Sequence, residues 1–337
     1  MTKKAVFPGT DLIEDHGEDF DSLERDWNSL LESRKTSHVF STALWGRTWW
    51  NCLGSGELHL LAVRRENRLA GIAPLVRRGD CLTLLGDKEV CDYLDIVSAP
   101  GDEESVLRAA LGLARQHGWI LDFQPLLAGS PSVTLLGTLA SQAGYSIHTE
   151  PLDVSYMIDL PDSWESYLNV LPTKHRHELR RKMRRLASAG KTAFFISHDT
   201  EDFLHLFRQQ ADKAAFLTPA RETFFREIMR ELGDKGWLKL YYLELDGKRV
   251  AGTLCFDYKD GFSLYNSGFD PLYAGLSPGL IAKAWSIRAA IEMGRKRFDF
   301  LRGAENYKAH LGGQPVEVYR CVLASLTGGS KPPEAGR

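Results

Sequence analysis

The chain contains one succession of segments twice, so two copies of a single architecture have to account for most of it. Leu58 to Asp87, LHLLAVRRENRLAGIAPLVRRGDCLTLLGD, is built like Leu238 to Phe269, LKLYYLELDGKRVAGTLCFDYKDGFSLYNSGF. Each holds an apolar run, a charged turn (Arg65-Glu66-Asn67; Asp246-Gly247-Lys248), an Ala-Gly pair (Ala70-Gly71; Ala251-Gly252), a second run, a Gly-Asp or Asp-Gly turn and a third run. Short apolar runs punctuated by such turns predict three strands in a meander. Pro100-Gly101 and Pro278-Gly279 follow, each opening a helical stretch. In the second copy Leu280, Ala284, Ile287 and Ile291 recur at one-face helical spacing, and the first copy offers Val106, Leu107, Ala110, Leu111 and Ala114 in the same place. Both helices lead into buried-strand candidates that share an Asp, Ile120-Leu121-Asp122-Phe123 and Phe298-Asp299-Phe300-Leu301. The offset stays near 180 residues throughout.

One unit therefore runs helix, three meandering strands, Pro-Gly, helix, strand, helix, strand. In the second copy the leading helices fall at Trp164 to Ala187 and Asp202 to Leu232, each interrupted, and the closing strand at Val316 to Leu323. Meander strands are antiparallel and a helical crossover returns the chain parallel. The fold class is α/β, with two tandem units, each a mixed, mostly antiparallel sheet flanked by helices. Pro151 and Pro161 flank a strand-like Val154 to Leu160, which puts the junction near residues 149 to 162. The expected domains are 1–150 and 151–326, followed by a disordered tail, 327–337, rich in Gly and Pro.

Composition excludes several function classes. Forty-two Lys and Arg against 44 Asp and Glu leave a formal charge of -2, so no global field draws the chain to nucleic acid or anionic lipid, and any polyanion site must be local. The five cysteines, Cys52, Cys81, Cys91, Cys255 and Cys321, are scattered without a C-x-x-C pair or a nearby His at ligand spacing, which predicts a reduced, cytoplasmic protein without a metal site. No apolar leader and no window of 18 apolar residues is present, so neither secretion nor a membrane span is expected.

The order of elements in the second copy resembles the GNAT acyltransferase fold. The phrases LSPGL (276–280) and FDFLRGAENYK (298–308) resemble the GNAT-like acyltransferases of the cellulose-biosynthesis-associated CelD/BcsL type, which in turn resemble the FemAB aminoacyl transferases with two GNAT-like units in one chain. The resemblance spans nearly the whole chain, including Phe40 to Trp50. It implies that an acyl donor's pyrophosphate sits between the third meander strand and the next helix, where free N–H groups and the positive helix end face the anion. Leu276, Ser277 and Gly279 occupy that loop, with Lys283 one turn further on. Gly279 would permit close backbone approach, Pro278 suits a helix entrance and Ser277 adds a hydroxyl. Taken alone, Ser-Pro-Gly reads first as an ordinary helix start. The copies differ at this point. Asp102, Glu103 and Glu104 follow Pro100-Gly101 and would repel a phosphate, whereas no acid follows Pro278-Gly279 until Glu292. Only the second copy is expected to bind a donor, the first being a non-catalytic scaffold. The usual GNAT signature, R/Q-x-x-G-x-G/A, is reduced here to its first glycine.

Acyl transfer to an amine needs a proton acceptor for the nucleophile and a proton donor for the departing thiolate. Asp299, Arg302, Glu305, Asn306, Tyr307 and Lys308 concentrate such groups, and the matching FQPLLAGSPS of the first copy has none of these charges. The resemblance implies Tyr307 as the acid, against the alternative of a core aromatic. Glu305 or Asp299 is the candidate base, although Asp122 at the matching position argues for a structural Asp299. Arg302 and Lys308 are candidates for an acceptor's carboxylate or phosphate, or for a surface ion pair with Glu305.

The run Lys174 to Lys191, KHRHELRRKMRRLASAGK, holds eight Lys and Arg against the single acid Glu178. Leu179, Met183 and Leu186 give it one apolar face, so it reads either as a solvated amphipathic helix or as a seat for a polyanion such as tRNA. His175 and His177 are expected on its solvated surface. The function expected is an N- or O-acyltransferase moving an acyl group, acetyl from acetyl-CoA in the first instance, onto an amino sugar, amino acid or polysaccharide precursor. The rivals are a FemAB-like aminoacyl transferase using aminoacyl-tRNA and an inactive GNAT-like scaffold in cell-envelope or polysaccharide assembly.

Overall fold

The structure is a computed structural model that describes residues 13–14, 18–34, 37–66 and 68–326. The expected tail and most of the residues before Asp19 lie outside this range, as does Asn67 of the first charged turn. The chain divides into two units. One comprises the described residues up to Asp153 and those from Glu317 onward, and the other is Val154–Val316.

The first unit runs β1 (Ile13–Glu14), α1 (Phe20–Ser33), a 3-10 turn (Val39–Ser41), α2 (Ala43–Leu53), β2 (Glu57–Arg65), β3 (Arg68–Arg78), β4 (Cys81–Leu84), β5 (Val97–Ser98), α3 (Glu103–His117), β6 (Ile120–Leu127), α4 (Pro131–Ala143) and the start of β7 (Tyr145–Asp159). The second continues along β7 into α5 (Trp164–Val170), α6 (Thr173–Ala189), β8 (Thr192–Ile196), α7 (Thr200–Arg208), α8 (Ala211–Phe216), α9 (Pro219–Asp234), β9 (Leu238–Leu245), β10 (Lys248–Tyr258), β11 (Gly261–Phe269), a 3-10 turn (Pro271–Leu276), α10 (Pro278–Glu292), β12 (Arg297–Arg302), α11 (Asn306–His310) and the start of β13 (Gln314–Ser325). Both meanders form as expected, β2–β3–β4 and β9–β10–β11, through antiparallel pairs. Each is followed by a parallel strand after its helix, β6 beside β4 and β12 beside β11.

The strand order is β1-β2-β3-β4-β6-β13 in the first unit and β7-β12-β11-β10-β9-β8 in the second. The strand expected at 316–323 to close the second copy therefore joins the first, with Val318 opposite Leu127 and Leu323 opposite Leu121. The second unit's β12 pairs instead with the end of β7, Phe298 opposite Ile158. Any extended segment with a buried face can satisfy such an edge, so the local pattern of a strand does not record which edge it joins.

Two faces of the second sheet are covered. A Cβ on Gly252 of β10 would meet Phe203 and Leu206 of α7, while the next residue, Thr253, hydrogen-bonds Ser286 of α10 at 2.9 Å. Successive strand residues point to opposite faces, so α7 and α10 sandwich the sheet. Gly268 of β11 brings the sheet so close to α7 that a Cβ would stand 2.5 Å from the Phe207 amide nitrogen and 2.7 Å from the Leu206 carbonyl oxygen. Neither backbone atom can yield without unseating the helix. Gly268→Ala should therefore destabilise the chain by about 3 kcal/mol in urea unfolding, a cost typical of severe overpacking.

The pairing of β11 with β12 positions the site. It extends over Gly261–Ser263 against Arg297–Asp299, whereas β11 continues to Phe269 along β10. Beyond Ser263 and Asp299 the two parallel strands are no longer paired, and β11 runs on toward the start of α10 while β12 runs toward the corner before α11.

Candidate active site

The loop leading to α10 is built from short-range constraints. Asp270 caps the 3-10 turn by accepting from the Leu272 amide at 2.9 Å, and Leu276 packs on the cluster of Leu186, Leu243 and Ile281. Ser277 then takes the left-handed conformation, φ 59°, and no side chain caps α10. Its hydroxyl accepts instead from the Lys182 ammonium of α6 at 3.1 Å, and the Arg185 guanidinium lies 3.6 Å from where a Cβ of Gly275 would be. The basic helix and the candidate donor loop, read from the sequence as separate features, thus meet. Lys182 also lies 3.7 Å from Glu178, which is shared with Arg181, so its charge at the positive helix end is only partly balanced.

At Gly279 packing also favours the absence of a side chain. The residue is buried, and a Cβ there would press on the Phe269 ring at 3.1 Å, so its missing side chain serves the packing of α10 on β11. In the first unit the corresponding helix start is filled by the chain's own acids. Glu103 accepts from the Gly101 amide at 2.8 Å, and Asp102 pairs with Arg65 at 2.7 Å.

At its C-terminal end, β12 turns sharply. Leu301 adopts φ 60°, and the buried Asp299 carboxylate holds that turn by accepting from the Leu301 amide at 2.7 Å and from the Ser155 hydroxyl at 3.3 Å. Asp122 is held differently, in a two-pronged pair with Arg320 at 2.9 Å for each contact. The repeated Asp thus anchors structure in both units through different partners, and Asp299 has little freedom to act as a base.

Lys308, expected to meet an acceptor's anion, turns inward. Its ammonium is buried and donates to the carbonyls of Leu301 at 3.0 Å, Arg302 and Gly303 at 3.0 Å, and it pairs with Glu305 at 3.0 Å. It clamps the corner and has no donor left for a substrate. Arg302, half-buried, ends β12 opposite Ser155.

Tyr307 lies on α11 with its ring edge against Phe300 at 6.1 Å. Burial, then the Glu305 charge, pushes its phenol above the ordinary range, so it remains protonated through neutral pH. Over its face, 4.6 Å from the ring centre, sits the ammonium of Lys283. Lys283 was expected beside the donor phosphate, but it reaches from α10 to Tyr307. Burial of the amine, then Lys213 and Lys308, bring its pKa down to about 7 against the opposing pull of Glu305. Lys213, on α8, donates to the Ser267 carbonyl of β11, beyond the last residue that pairs with β12. Nothing in the local sequence marks Lys213, because α8 carries no motif.

The lowered pKa of Lys283 has a consequence for stability. From pH 7 to the ordinary lysine range the unfolded amine is protonated while the folded one is neutral, so the cost of burying this group is full below pH 7 and fades as pH rises. Lys283→Met should resist urea better than the parent at pH 6, and that gain should vanish toward pH 10.5. A gain that does not change with pH would show that desolvation of the amine is not its source.

On the basic helix, Leu179 and Leu186 are buried, Arg180 pairs with Glu165 at 3.1 Å and Arg181 with Glu178 at 2.8 Å. His177 is exposed, but His175 packs on His310, ring centres 4.4 Å apart. Among the described residues no group of His, Cys, Asp and Glu is placed to hold a metal ion, and no helix is long and apolar enough to cross a membrane.

Residues 173–309 match the family described as an acetyltransferase (GNAT) domain, so the second unit carries a GNAT-type domain. No curated protein matches the sequence. Among solved structures, FemX aligns over 91% of this chain and 96% of its own, with a TM-score of 0.64 and 13% identity. The structure of L-PGS from Bacillus licheniformis aligns over 94% of this chain and 95% of its own, at TM-score 0.57 and 14% identity. A tandem GNAT protein from the clavulanic acid biosynthesis pathway aligns over 95% and 100%, at TM-score 0.53 and 13% identity. At such identities the likeness shows a shared fold, that of tandem GNAT-like units.

Proposed function

We propose that the protein is an N- or O-acyltransferase, of the CelD/BcsL type, whose second unit takes a phosphate-bearing acyl donor, acetyl-CoA in the first instance. The acceptor is an amino sugar, amino acid or polysaccharide precursor. One observation carries this function. Lys182 and the uncapped start of α10 converge on Ser277, a concentration of positive charge and unsatisfied N–H groups that a pyrophosphate would neutralise. From there the donor would extend past the end of the β11–β12 pairing, with its sulfur near Tyr307. The first unit, whose helix start is filled by Glu103, would shape the fold without binding a donor.

Calorimetric titration with acetyl-CoA tests this directly. Ser277→Asp is the most informative variant. Asp tolerates the left-handed conformation that Ser277 occupies, and its carboxylate would face both Lys182 and the incoming phosphates. Donor affinity should fall by about 10²-fold, on the order of the repulsion between like charges near a protein surface. Lys182→Met should cost about 10-fold. Unchanged affinity in both folded variants would remove the donor seat from this loop.

The exposed Arg184 and Arg185 extend positive charge along α6 beyond Lys182, which favours aminoacyl-tRNA as a second donor reading. Replacing both with Gln should reduce the affinity and salt slope for tRNA but leave acetyl-CoA binding unaffected. A chain that binds neither would be left with the scaffold role.

A further inference from the structure

We infer that the side chain of Lys283, rather than a carboxylate, takes the proton from the nucleophile in acyl transfer. This rests on the acyltransferase function proposed above and supplies its missing base. Asp299 is engaged by the Leu301 amide and the Ser155 hydroxyl. Glu305 is held by Lys308 at 3.0 Å. Lys283 has no hydrogen-bond acceptor or ion-pair partner among the described residues and rests on the face of Tyr307.

The groups around it are arranged to expel a proton. Lys213 of α8 and Lys308 of α11 both disfavour a third positive charge, and among the described residues Glu305, already shared with Lys308, is the acid acting on Lys283. The neighbouring α6 contributes Lys182, at Ser277. Tyr307 offers a ring face and stays neutral. A buried amine in such company is half-deprotonated near neutrality, the condition in which a general base combines availability with driving force.

The step balances without a further reactant. The acceptor's ammonium gives one proton to the neutral Lys283 amine, and the freed nitrogen lone pair forms a bond to the acyl carbon of the thioester. The carbon–sulfur bond breaks with its electron pair on sulfur. Tyr307 protonates the sulfur and regains a proton from the excess one on the new amide nitrogen, and Lys283 then returns its proton to water. For a hydroxyl acceptor, Lys283 takes the hydroxyl proton and hands it on, through Tyr307, to sulfur.

Two measurements on the full chain test this. With ¹³Cε-labelled lysine, and Lys283→Arg to assign the resonance, an NMR titration should show Lys283 changing charge near pH 7, and a midpoint in the ordinary lysine range would overturn the proposal. Lys283→Arg keeps the length and positive charge but cannot accept a proton at neutral pH. With acetyl-CoA as donor and a panel of amine acceptors, it should bind donor within twofold of the parent while turnover falls by about 10² to 10⁴-fold and the acidic limb of the rate profile disappears. Turnover within threefold of the parent would also overturn the proposal. A parent chain that fails to bind acetyl-CoA would instead count against the acyltransferase function, and the NMR midpoint would still decide whether Lys283 is neutral.

Discussion

Lys308→Met should be the most disruptive single change at the site, lowering stability by about 3 kcal/mol, the scale of leaving carbonyl acceptors without their donor, since its ion-pair partner Glu305 is itself exposed. The ammonium meets three carbonyls, those of Leu301, Arg302 and Gly303, as well as Glu305. Methionine fills much the same volume but leaves those oxygens facing a thioether, so the desolvation already incurred is no longer offset. The corner of β12 would open, and Tyr307 would move with it. Urea unfolding should show the loss at all pH values between 6 and 9, together with loss of turnover. Lys308→Met with parental stability would mean that the corner is held by Asp299 alone, and Lys308 would again become available for an acceptor's anion.

Much of the architecture was legible because the repeat supplies its own control. An apolar run with a charged turn is weak evidence by itself, but the same run, turn, Ala-Gly pair and Pro-Gly start recurring at one offset predicted both meanders and both following helices. The exchange of terminal strands was not legible. The segments ending at Asp159 and Ser325 carry strand patterns of similar quality, and pairing partners are chosen by geometry far along the chain. The copies hold their shared Asp through different partners. The sequence shows a shared Asp, but the Arg320 that holds it comes from β13, whereas Asp299 is held by a turn in its own strand.

Site residues were legible in type and less so in direction. The cluster from Asp299 to Lys308 does gather at the end of the parting strands, and the contrast between the two helix starts is visible in side-chain contacts as well as in charge. A one-dimensional pattern does not say whether a lysine points outward or into its own loop, and Lys308 and Lys283 divide on that point. Lys308 turns back to carbonyls five to seven residues away, while Lys283 crosses to another helix. The convergence of α6 on Ser277 joins positions 95 residues apart, and no local spacing rule could have found it.

Tyr307→Phe should lower turnover by about 10² to 10⁴-fold with donor affinity within twofold, the range expected for loss of a general acid. Phenylalanine isolates the hydroxyl. The ring face beneath Lys283 and the edge contact with Phe300 both remain, so stability should change by less than about 1 kcal/mol. The pH profile separates this acid from the base. Burial and Glu305 raise the phenol's pKa, so the parent rate should stay level through the ordinary tyrosine range near pH 10 instead of falling there. The acidic limb, set by Lys283, should survive in Tyr307→Phe and disappear in Lys283→Arg. Because the excess proton on the new amide nitrogen reaches sulfur through Tyr307, the Phe variant should retain more activity with donors whose leaving thiol is already acidic, such as aryl thioesters, than with acetyl-CoA. Normal turnover in Tyr307→Phe, or an equal loss with aryl and alkyl thioesters, would leave the tyrosine as the platform on which Lys283 rests and require the departing sulfur to take its proton from the acceptor directly.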